Sequence, residues 1–344
     1  MRFEHFSGTH AAIGWQRGRA FQDLLYRCRQ GFDSWSPETR QRVDSLTTTF
    51  ELALHRTAPE LIEEMRGVAE GAGLPYHEIL SLNFAEEIGA PTGCSQIGLV
   101  DDDGETICAK SEDAGFRRTY VVTELRPERG YAQLHVGAVD WVVNSGGGIN
   151  EAGLCIGQSS VRITDQTDGI PRLTLLRLVL ERCATVAEAI AFFQSQDMAL
   201  QGMNFLMVDT GGSMAVVEHS PSLCAIRGPE GDAICCTNHY VEPQMRTVER
   251  GCVGSEPDLE NRLAFEVNTR QRYGRLYDFA RQHAGQANLK EALEGLLTSH
   301  GPGGICQHGI MHTTLSMMMI PRRRELWVTD GPPCRSSFQL YTFG

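Results

Sequence analysis

The pair Gly93-Cys94 carries the clearest chemical signal in the sequence. A turn-rich stretch, 90–93, precedes Cys94, and a β-hairpin pattern, 95–109, follows it. Lys110 and Asp113 come sixteen and nineteen residues after the cysteine. A cysteine nucleophile needs a base or a lowered pKa to present a thiolate near neutral pH. A cysteine freed as a new N-terminus meets this need by itself, because its α-amine has a pKa of about 7.7–8.0 and accepts a proton.

The glycine before the cysteine suits a self-cleavage step at the Gly93–Cys94 bond. Without a side chain, its carbonyl is open to close approach and its backbone can take strained angles. The Cys94 thiol would attack this carbonyl, the acyl group would move from nitrogen to sulfur, and water would release the new α-amine. The alternative interpretation is a buried structural cysteine at the start of a strand, which is the commoner explanation of an isolated Gly-Cys pair.

Composition narrows the class of protein and of partner. The chain of 344 residues is 41% hydrophobic and 22% charged, as in ordinary globular proteins. Its net charge of −12 argues against nucleic acid or an anionic membrane as partner. No apolar run approaches the roughly 20 residues of a membrane helix, and the N-terminus lacks the apolar core of a signal peptide. We therefore expect a cytoplasmic protein with reduced cysteines.

The eleven cysteines show neither a disulfide framework nor a metal-binding pattern. Their odd number and irregular spacing argue against a disulfide scaffold. No CxxC motif occurs, so the sequence predicts neither a structural zinc site nor any other metal.

The elements that must position these residues can be predicted from periodicity. Apolar residues recur at helical spacing through most of the first ninety residues, with helices from Ile13, from Ala58-Pro59 and over 77–83. Strand patterns begin at Cys94 and include hairpins over 97–109 and 120–136. Later segments predict helices over 173–183 and 187–194 and from Asn288, and strands over 204–208, 213–218, 314–320 and 325–329. This alternation predicts sheets with helices packed outside them.

Ten segments, in order along nearly the whole chain, resemble the acyl-coenzyme A:6-aminopenicillanic acid acyltransferase-like proteins, peptidase family C45 of the N-terminal-nucleophile hydrolases. Gly93-Cys94 is similar to the family's processing site, and the other segments resemble its flanking motifs. The segments are 8–18, 60–75, 82–88, 93–94, 109–113, 150–154, 237–240, 268–272, 305–308 and 326–334.

The resemblance implies an α+β fold, a four-layer αββα sandwich with an N-terminal helical segment. Residues 1–93 would be a helical α-chain or pro-segment and 94–344 the catalytic β-chain, together forming one composite domain. The α-chain would stay bound after cleavage, because its apolar helix faces need burial. The implied activity is hydrolysis or transfer of the acyl group of a small amide or thioester through a Cys94 thioester. Hydrolysis of a small amide is the expected reaction, and coenzyme A-dependent N-acyltransfer in natural-product metabolism is the alternative.

The resemblance also implies roles for the catalytic residues. Cys94 would be the nucleophile, and Asp113 would orient its α-amine or thiol. Lys110 would stabilise negative charge near the sulfur. Asn238 would donate its side-chain amide to the oxyanion of the tetrahedral intermediate. Arg272 would pair with Asp113 or with the substrate.

The other predicted site residues are a second candidate arginine and the residues of the substrate pocket. Arg270 competes with Arg272 in the alignment of the 268–272 segment. The predicted substrate-binding residues are Asn150, Phe116, Trp141 and His239. Asn150 would shape the pocket, and the aromatic residues would line it.

Two other classes of protein stay open. The chain could be an unprocessed, non-catalytic relative that acts as a binding protein, or an intact-chain cysteine hydrolase that uses His239 or His308 as base. The resemblance implies no metal and no organic cofactor, with a coenzyme A thioester open as co-substrate. Its expected partners are a small-molecule amide or acyl donor and its own α-chain, while self-association into a homo-oligomer stays open.

Overall fold

A computed structural model describes residues 1–85, 93–114, 118–250, 259–309 and 311–344. Within these ranges the helices are α1 His10–Ala20, α2 Gln22–Gln30, α3 Pro37–Thr57, α4 Pro59–Ala72, α5 Tyr76–Phe84, α6 Arg172–Arg182, α7 Val186–Gln194, α8 Leu259–His283 and α9 Leu289–Leu297. The strands are β1 Arg2–Gly8, β2 Gly93–Val100, β3 Thr106–Ala114, β4 Tyr120–Pro127, β5 Gln133–Ala138, β6 Gly147–Asn150, β7 Cys155–Val161, β8 Gly202–Val208, β9 Met214–His219, β10 Cys224–Arg227, β11 Ala233–Cys236, β12 His312–Ile320, β13 Glu325–Thr329 and β14 Phe338–Tyr341.

The strands form two sheets. Sheet A has eight strands in the order β1-β4-β5-β6-β7-β8-β9-β10, and sheet B has six in the order β11-β2-β3-β12-β13-β14. The described strand pairs are antiparallel except β1 with β4, which run parallel. Sheet B places β2, which begins with Gly93-Cys94, beside β3, which carries Lys110 and Asp113.

The two sheets face one another between outer helices. Strands β2 and β3 contact β7 and β8 across the gap, α1, α6 and α7 pack on sheet A, and α8 and α9 pack on sheet B. Three apolar clusters fill the interfaces: helices against sheet A, sheet against sheet, and sheet B against α8 and α9. The predicted fold class, a four-layer αββα sandwich, is confirmed. Among the described helices, none is both long and apolar enough to span a lipid bilayer.

Side chains of β12 alternate between two buried faces of the strand. Leu315, Met317 and Met319 are buried between the sheets, whereas Met318 and Ile320 are buried against α8 and α9. Successive side chains of a strand point to opposite faces, so a strand covered on both sides is apolar at every position.

The same alternation on β2 sets the direction of the nucleophile candidate. Ile97 and Leu99 pack toward the helices that cover sheet B. Gln96 points the other way and donates to Ser159 Oγ on β7 at 3.2 Å. Cys94 lies two residues before Gln96, so its side chain faces the space between the sheets.

The sequence predicts helices through most of the first ninety residues and no strand there, whereas Arg2–Gly8 is a strand. These residues form β1, the edge strand of sheet A, and pair in parallel with β4. The segment has apolar residues at Phe3 and Phe6 only, and its strand partner lies more than a hundred residues away in sequence. Strand β1 is stabilised by hydrogen bonds to a strand far away in sequence. The local sequence of Arg2–Gly8 therefore does not indicate that a strand forms there.

One predicted helix is divided, and one predicted helix cap is absent. The helix predicted from Ile13 is divided at Phe21 into α1 and α2. Asn288 precedes α9 as predicted, but in a left-handed conformation with φ 61° and without a side-chain cap. The predicted capping pattern at α7 is present, since Thr185 Oγ1 accepts from the backbone N–H of Glu188 at 3.2 Å.

A buried ionic cluster joins α1, α4 and α6. His10 Nδ1 lies 2.7 Å from Glu64 Oε2, and its Nε2 lies 3.0 Å from Glu181 Oε1. Arg177 forms ion pairs with both carboxylates. Burial opposes the charge on His10, but the hydrogen bonds to Glu181 and Glu64 outweigh it and raise the pKa of His10 to about 9.

We predict that this cluster makes stability depend on pH in the alkaline range. The folded pKa of His10 is about 9 and the unfolded pKa about 6.5, so the stabilisation is complete below pH 6.5 and is lost as pH rises through 9. Its size is roughly 3 kcal/mol. Urea unfolding should show this loss, and His10→Gln should remove it. His55→Gln, an exposed histidine, serves as control, and a loss of equal size in His10→Gln would contradict the prediction.

Candidate active site

The peptide groups on both sides of the Cys94 Cα are held by side chains. The Cys94 N–H donates to Asn238 Oδ1 at 2.9 Å, and its C=O accepts from Arg272 Nη1 at 2.6 Å. Cys94 itself is fully buried. These bonds fix the nitrogen of the Gly93–Cys94 bond and the direction of the strand that follows it.

Arg272 is the residue that ties the group together. Besides the Cys94 carbonyl, Nη1 donates to Ser95 Oγ at 2.9 Å, and Nη2 donates to Asn238 Oδ1 at 2.9 Å. Its Nε donates to Asn268 Oδ1 at 2.8 Å, one turn earlier on α8. Burial lowers the pKa of Arg272, although Asp113 and Cys94 oppose this effect. A planar guanidinium with five donors can satisfy such a set at once.

The helix geometry of α8 separates the two arginines between which the sequence could not choose. Arg272 is 1% exposed and faces Cys94. The Arg270 side chain is 57% exposed and pairs with Glu249 at 3.6 Å. Thr269, three residues before Arg272, faces the site as well, since its Oγ1 accepts from the backbone N–H of Asn238 at 2.8 Å.

Asn238 faces Cys94 with its oxygen in the uncleaved chain. Its Oδ1 accepts from both Cys94 and Arg272, while its Nδ2 donates to the Ser160 carbonyl on β7 at 3.0 Å. The predicted role was donation from this amide to an oxyanion. The structure brings Asn238 to Cys94, in the orientation that accepts a hydrogen bond from the Cys94 nitrogen.

Lys110 lies on the same face of sheet B as the cysteine sulfur. Its Nζ is 3.7 Å from Cys94 Sγ and forms a buried ion pair with Glu112, the residue directly opposite Cys94 on β3. Burial disfavours the charge on Lys110, but Cys94 and Glu112 attract it and raise its pKa above the usual value. Glu112 was missed by sequence reasoning. The signal was its position two residues from Lys110 on a strand, which places both side chains on one face.

The Cys94 thiol is poorly ionised in the uncleaved chain. Burial raises its pKa well above the ordinary value, and the charge of Glu112 adds to this, while Lys110 and Arg272 oppose it. The site thus holds a positioned sulfur that lacks a strong base within the intact chain.

The Asp113 side chain lies next to Gly93, the glycine of the predicted cleavage site. Its Oδ1 accepts from Thr313 Oγ1 at 2.6 Å, and its buried Oδ2 has no hydrogen-bond partner among the described residues. A Cβ at Gly93 would lie 3.2 Å from Asp113 Oδ2, so a side chain there would crowd the carboxylate. Burial raises the pKa of Asp113 to about 6, with Arg272 and the Thr313 bond opposing.

We predict that the ionised Asp113 carboxylate destabilises the folded protein, because burial raises its pKa. Its folded pKa of about 6 exceeds the unfolded value of about 3.8, so the stability of the protein falls as pH rises from 3.8 through 6. Asp113→Asn in a Cys94→Ala background should raise the free energy of unfolding by up to about 3 kcal/mol at pH 8 and by less at pH 4.5. Denaturant titrations at the two pH values measure this. An equal change at both would contradict the prediction.

Two predicted pocket residues are committed elsewhere in the fold. Asn150 donates both amide hydrogens to the carbonyls of Leu180 and Cys183, at 2.9 and 2.7 Å, and thereby fastens the end of α6 to sheet A. Trp141 is 2% exposed within the core between the helices and sheet A. The structure does not bring either residue into the hydrogen-bonded group around Cys94.

His239 is buried beside the site, and its ring is bonded to hydroxyl groups. Nδ1 lies 3.1 Å from Thr237 Oγ1 and 3.3 Å from Thr269 Oγ1. Burial and the charges of Arg270 and Arg272 lower the pKa of His239 to about 3, so the ring is neutral. Phe116, the remaining predicted pocket residue, lies outside the described residues.

A cavity of about 470 Å³ lies beside Asp113, next to the hydrogen-bonded residues around Cys94. Its wall includes Ala114 and Thr313, the neighbours of Asp113 in sequence and in hydrogen bonding, together with Tyr120 and Arg118. It is large enough for a small acyl or aryl group.

The sequence of residues 100–329 matches the family described as acyl-coenzyme A:6-aminopenicillanic acid acyl-transferase. The match covers about two thirds of the chain and includes Asp113, Asn238 and Arg272. The chain belongs to this family, as predicted from the sequence, and the family supports an enzyme that acts on acyl groups. None of the curated proteins compared with the chain matches it.

Solved structures similar to the chain include a hydrolase and an acylase. A mutant conjugated bile acid hydrolase from Clostridium perfringens is 11% identical, with a TM-score of 0.48 over 73% of this chain and 97% of the other. Penicillin V acylase from Agrobacterium tumefaciens is 17% identical, with a TM-score of 0.44 over 69% of this chain and 83% of the other.

Proposed function

We propose that the chain is a zymogen that cleaves its own Gly93–Cys94 bond and then uses the N-terminal Cys94 to hydrolyse a small amide through a thioester. One observation carries this proposal: Asn238 and Arg272 hold the Cys94 N–H and C=O, while Lys110 approaches its sulfur. A structural cysteine needs no such set of buried charged partners, since buried charges destabilise a protein unless they are paired.

Cleavage follows from groups already in place. Cys94 Sγ attacks the Gly93 carbonyl carbon, the C–N bond breaks, and the nitrogen leaves with a proton as the α-amine. The thiol proton passes to the departing nitrogen, while Asp113, with a pKa of about 6, is ionised at neutral pH beside Gly93. Lys110 stabilises the thiolate from 3.7 Å. Water then hydrolyses the thioester, which leaves a Gly93 carboxylate and a free Cys94 thiol.

Turnover repeats this chemistry on a substrate. The α-amine of Cys94 takes the proton of its own thiol, the sulfur attacks the amide carbonyl, and the amine product leaves with that proton. Water attacks the resulting thioester and releases the acid. Asn238 would donate its Nδ2 amide to the oxyanion after turning from the orientation in which Arg272 and the Cys94 N–H hold its oxygen.

Cleavage should leave the two pieces in one body. Strand β1 belongs to sheet A, and α1 and α4 bury Ile13 and Leu61 in the core that they share with α6 and β8. Breaking the Gly93–Cys94 bond removes none of these contacts.

A second candidate is acyl transfer to an amine, with a coenzyme A thioester as donor. The description of the family, which names both acyl-coenzyme A and 6-aminopenicillanic acid, favours it. Both reactions share the thioester and differ only in whether water or an amine attacks it. A non-catalytic binding protein is the third candidate, and it requires no cleavage.

The test is to trap the acyl group on the nucleophile. Purified protein is incubated with phenoxymethylpenicillin, with a simple aryl amide and with an acyl-coenzyme A, and the mass of the chain is followed during turnover. We expect an acyl adduct on the fragment that begins at Cys94, with release of the amine or thiol. Adding 6-aminopenicillanic acid distinguishes transfer from hydrolysis by the product.

Two variants control the trapping experiment. Cys94→Ala should give no adduct, whereas Cys224→Ala, which changes a half-buried cysteine of β10, should behave as wild type. Adducts on Cys94→Ala equal to those of wild type would exclude Cys94 as the nucleophile.

A further inference from the structure

Four side chains beside the candidate active site converge at the edge of sheet B, and one of them, His308, also lines the cavity next to Asp113. One ligand atom each of His300, Cys306, His308 and Cys334 lies within 4.8 Å of all the others. His308 Nε2 is 3.4 Å from Cys306 Sγ and 3.2 Å from Cys334 Sγ. Around a tetrahedral zinc ion, bond lengths near 2.3 Å to sulfur and 2.0–2.1 Å to nitrogen place neighbouring ligand atoms about 3.3–3.8 Å apart. The cluster therefore needs only small shifts to close around such an ion.

We propose that these four residues bind one zinc ion as a structural site. Two cysteines and two histidines are a ligand set that zinc takes in tetrahedral sites. All four positions would be filled by protein, which leaves none for a substrate or a water, so the ion would stabilise structure instead of taking part in the reaction. On binding, the two thiols lose their protons to solvent.

The ligands come from two loops that the ion would join. His300, Cys306 and His308 lie in the connection between α9 and β12, and Cys334 lies between β13 and β14. The sequence predicted no metal because it contains no paired CxxC spacing. A cysteine and two histidines within nine residues, joined by one cysteine from a distant loop, do not form that pattern.

The ion would also fix one support of Arg272. Gln307 lies between two of the ligands, and its Oε1 accepts from Asn268 Nδ2 at 3.0 Å. Asn268 Oδ1 in turn accepts from Arg272 Nε at 2.8 Å. A loop held at Cys306 and His308 therefore holds the residue that orients the guanidinium on Cys94.

The same loop supports Asp113. The Gln307 N–H donates to Thr313 Oγ1 at 2.8 Å, and the Thr313 N–H donates to the Gln307 carbonyl at 3.0 Å. Thr313 Oγ1 lies 2.6 Å from Asp113 Oδ1. We infer that the zinc site positions both Arg272 and Asp113 from outside the reacting group.

Metal content tests the proposal independently of any activity. Protein purified with reductant from zinc-supplemented cells, then dialysed, should contain close to one zinc per chain by elemental mass spectrometry. Cys334→Ser and His308→Ala should contain close to none. Cys224→Ser and His312→Gln, a cysteine and a histidine outside the cluster, should keep the full amount. Zinc retained by both ligand variants at the wild-type level would overturn the proposal.

A second measurement covers ligand variants that fail to fold. Wild-type protein stripped of metal and reduced is titrated with Co²⁺, and we expect the absorption of a tetrahedral cobalt–thiolate site, which zinc then abolishes. No such absorption would overturn the proposal. Non-reducing peptide mapping of the protein before metal is stripped that joins Cys306 to Cys334 would also overturn it, by assigning the pair to a disulfide.

Gln307→Ala separates the ion from its effect on the active site. This variant should keep close to one zinc per chain but lower kcat with little change in KM, because Asn268 loses its partner while the ligands remain. An unchanged kcat would overturn the positioning role and leave the zinc measurement to decide the site.

Discussion

Replacing Arg272 with lysine should lower the turnover number by about 10²–10³-fold, the size seen when one preorganised donor to the reacting group is lost. Lysine keeps the positive charge but offers a single nitrogen in place of a planar fork. It cannot hold the Cys94 carbonyl, Ser95 Oγ and Asn238 Oδ1 together, as Nη1 and Nη2 of Arg272 do. We expect kcat to fall with KM nearly unchanged, and Gly93–Cys94 cleavage to slow as well.

Arg270→Lys is the matched control for this variant. Arg270 lies two residues away on the same helix, is exposed, and makes one long ion pair with Glu249. Exposed pairs of this kind contribute about 0–1 kcal/mol, so its rates should stay near those of wild type. Equal losses in the two variants, or a low thermal midpoint in Arg272→Lys alone that accounts for its lost activity, would contradict the assigned role.

Replacing Gly67 with alanine should destabilise the protein by at least about 3 kcal/mol, because it forces apart two helices whose backbones touch. A Cβ at Gly67 on α4 would lie 2.2 Å from the Ala11 carbonyl oxygen and 2.8 Å from the Trp15 nitrogen, both backbone atoms of α1. The opposite approach is as close, since a Cβ at Gly14 would lie 1.9 Å from the Glu64 carbonyl oxygen. Denaturant unfolding in the Cys94→Ala background measures the change.

Gly274→Ala is the control, since it makes the same substitution inside the helix α8. A Cβ at Gly274 would meet no heavy atom within 4 Å. Alanine there should stabilise by roughly 0.5–1 kcal/mol, because it is the better helix former. A Gly67→Ala variant as stable as wild type would show that α1 and α4 do not pack backbone to backbone.

The sequence predicted the central residues of the site because they are local to one hairpin. Cys94, Lys110 and Asp113 lie on two neighbouring strands whose turn is evident from the sequence, so their proximity follows from pairing. Arg272 could not be separated from Arg270 without the helix, which turns about 100° per residue and so faces one inward and the other outward. The bonds of Asn150 to the end of α6 were not predictable for a related reason, since the sequence of a turn does not show whether its asparagine faces a cleft or a helix end.

Features formed by segments far apart in the sequence could not be predicted from local sequence patterns. Strand β1 exists because β4 supplies its hydrogen bonds, and the Arg2–Gly8 sequence alone does not alternate clearly enough to show it. The proposed zinc ligands meet only because β12, β13 and the end of α9 place two loops side by side. The packing of helices outside the sheets, by contrast, was predictable from strand patterns such as the largely apolar run 315–320 of β12, and the family resemblance implied the four-layer order.

The intact mass of freshly purified protein under denaturing conditions, wild type beside Cys94→Ala, tests the central claim most directly. The account predicts two fragments from the wild type, one ending at Gly93 and one beginning at Cys94, and a single full-length chain of 38.0 kDa from the variant. A single chain of that mass from both proteins would contradict the claim that Cys94 becomes an N-terminal nucleophile.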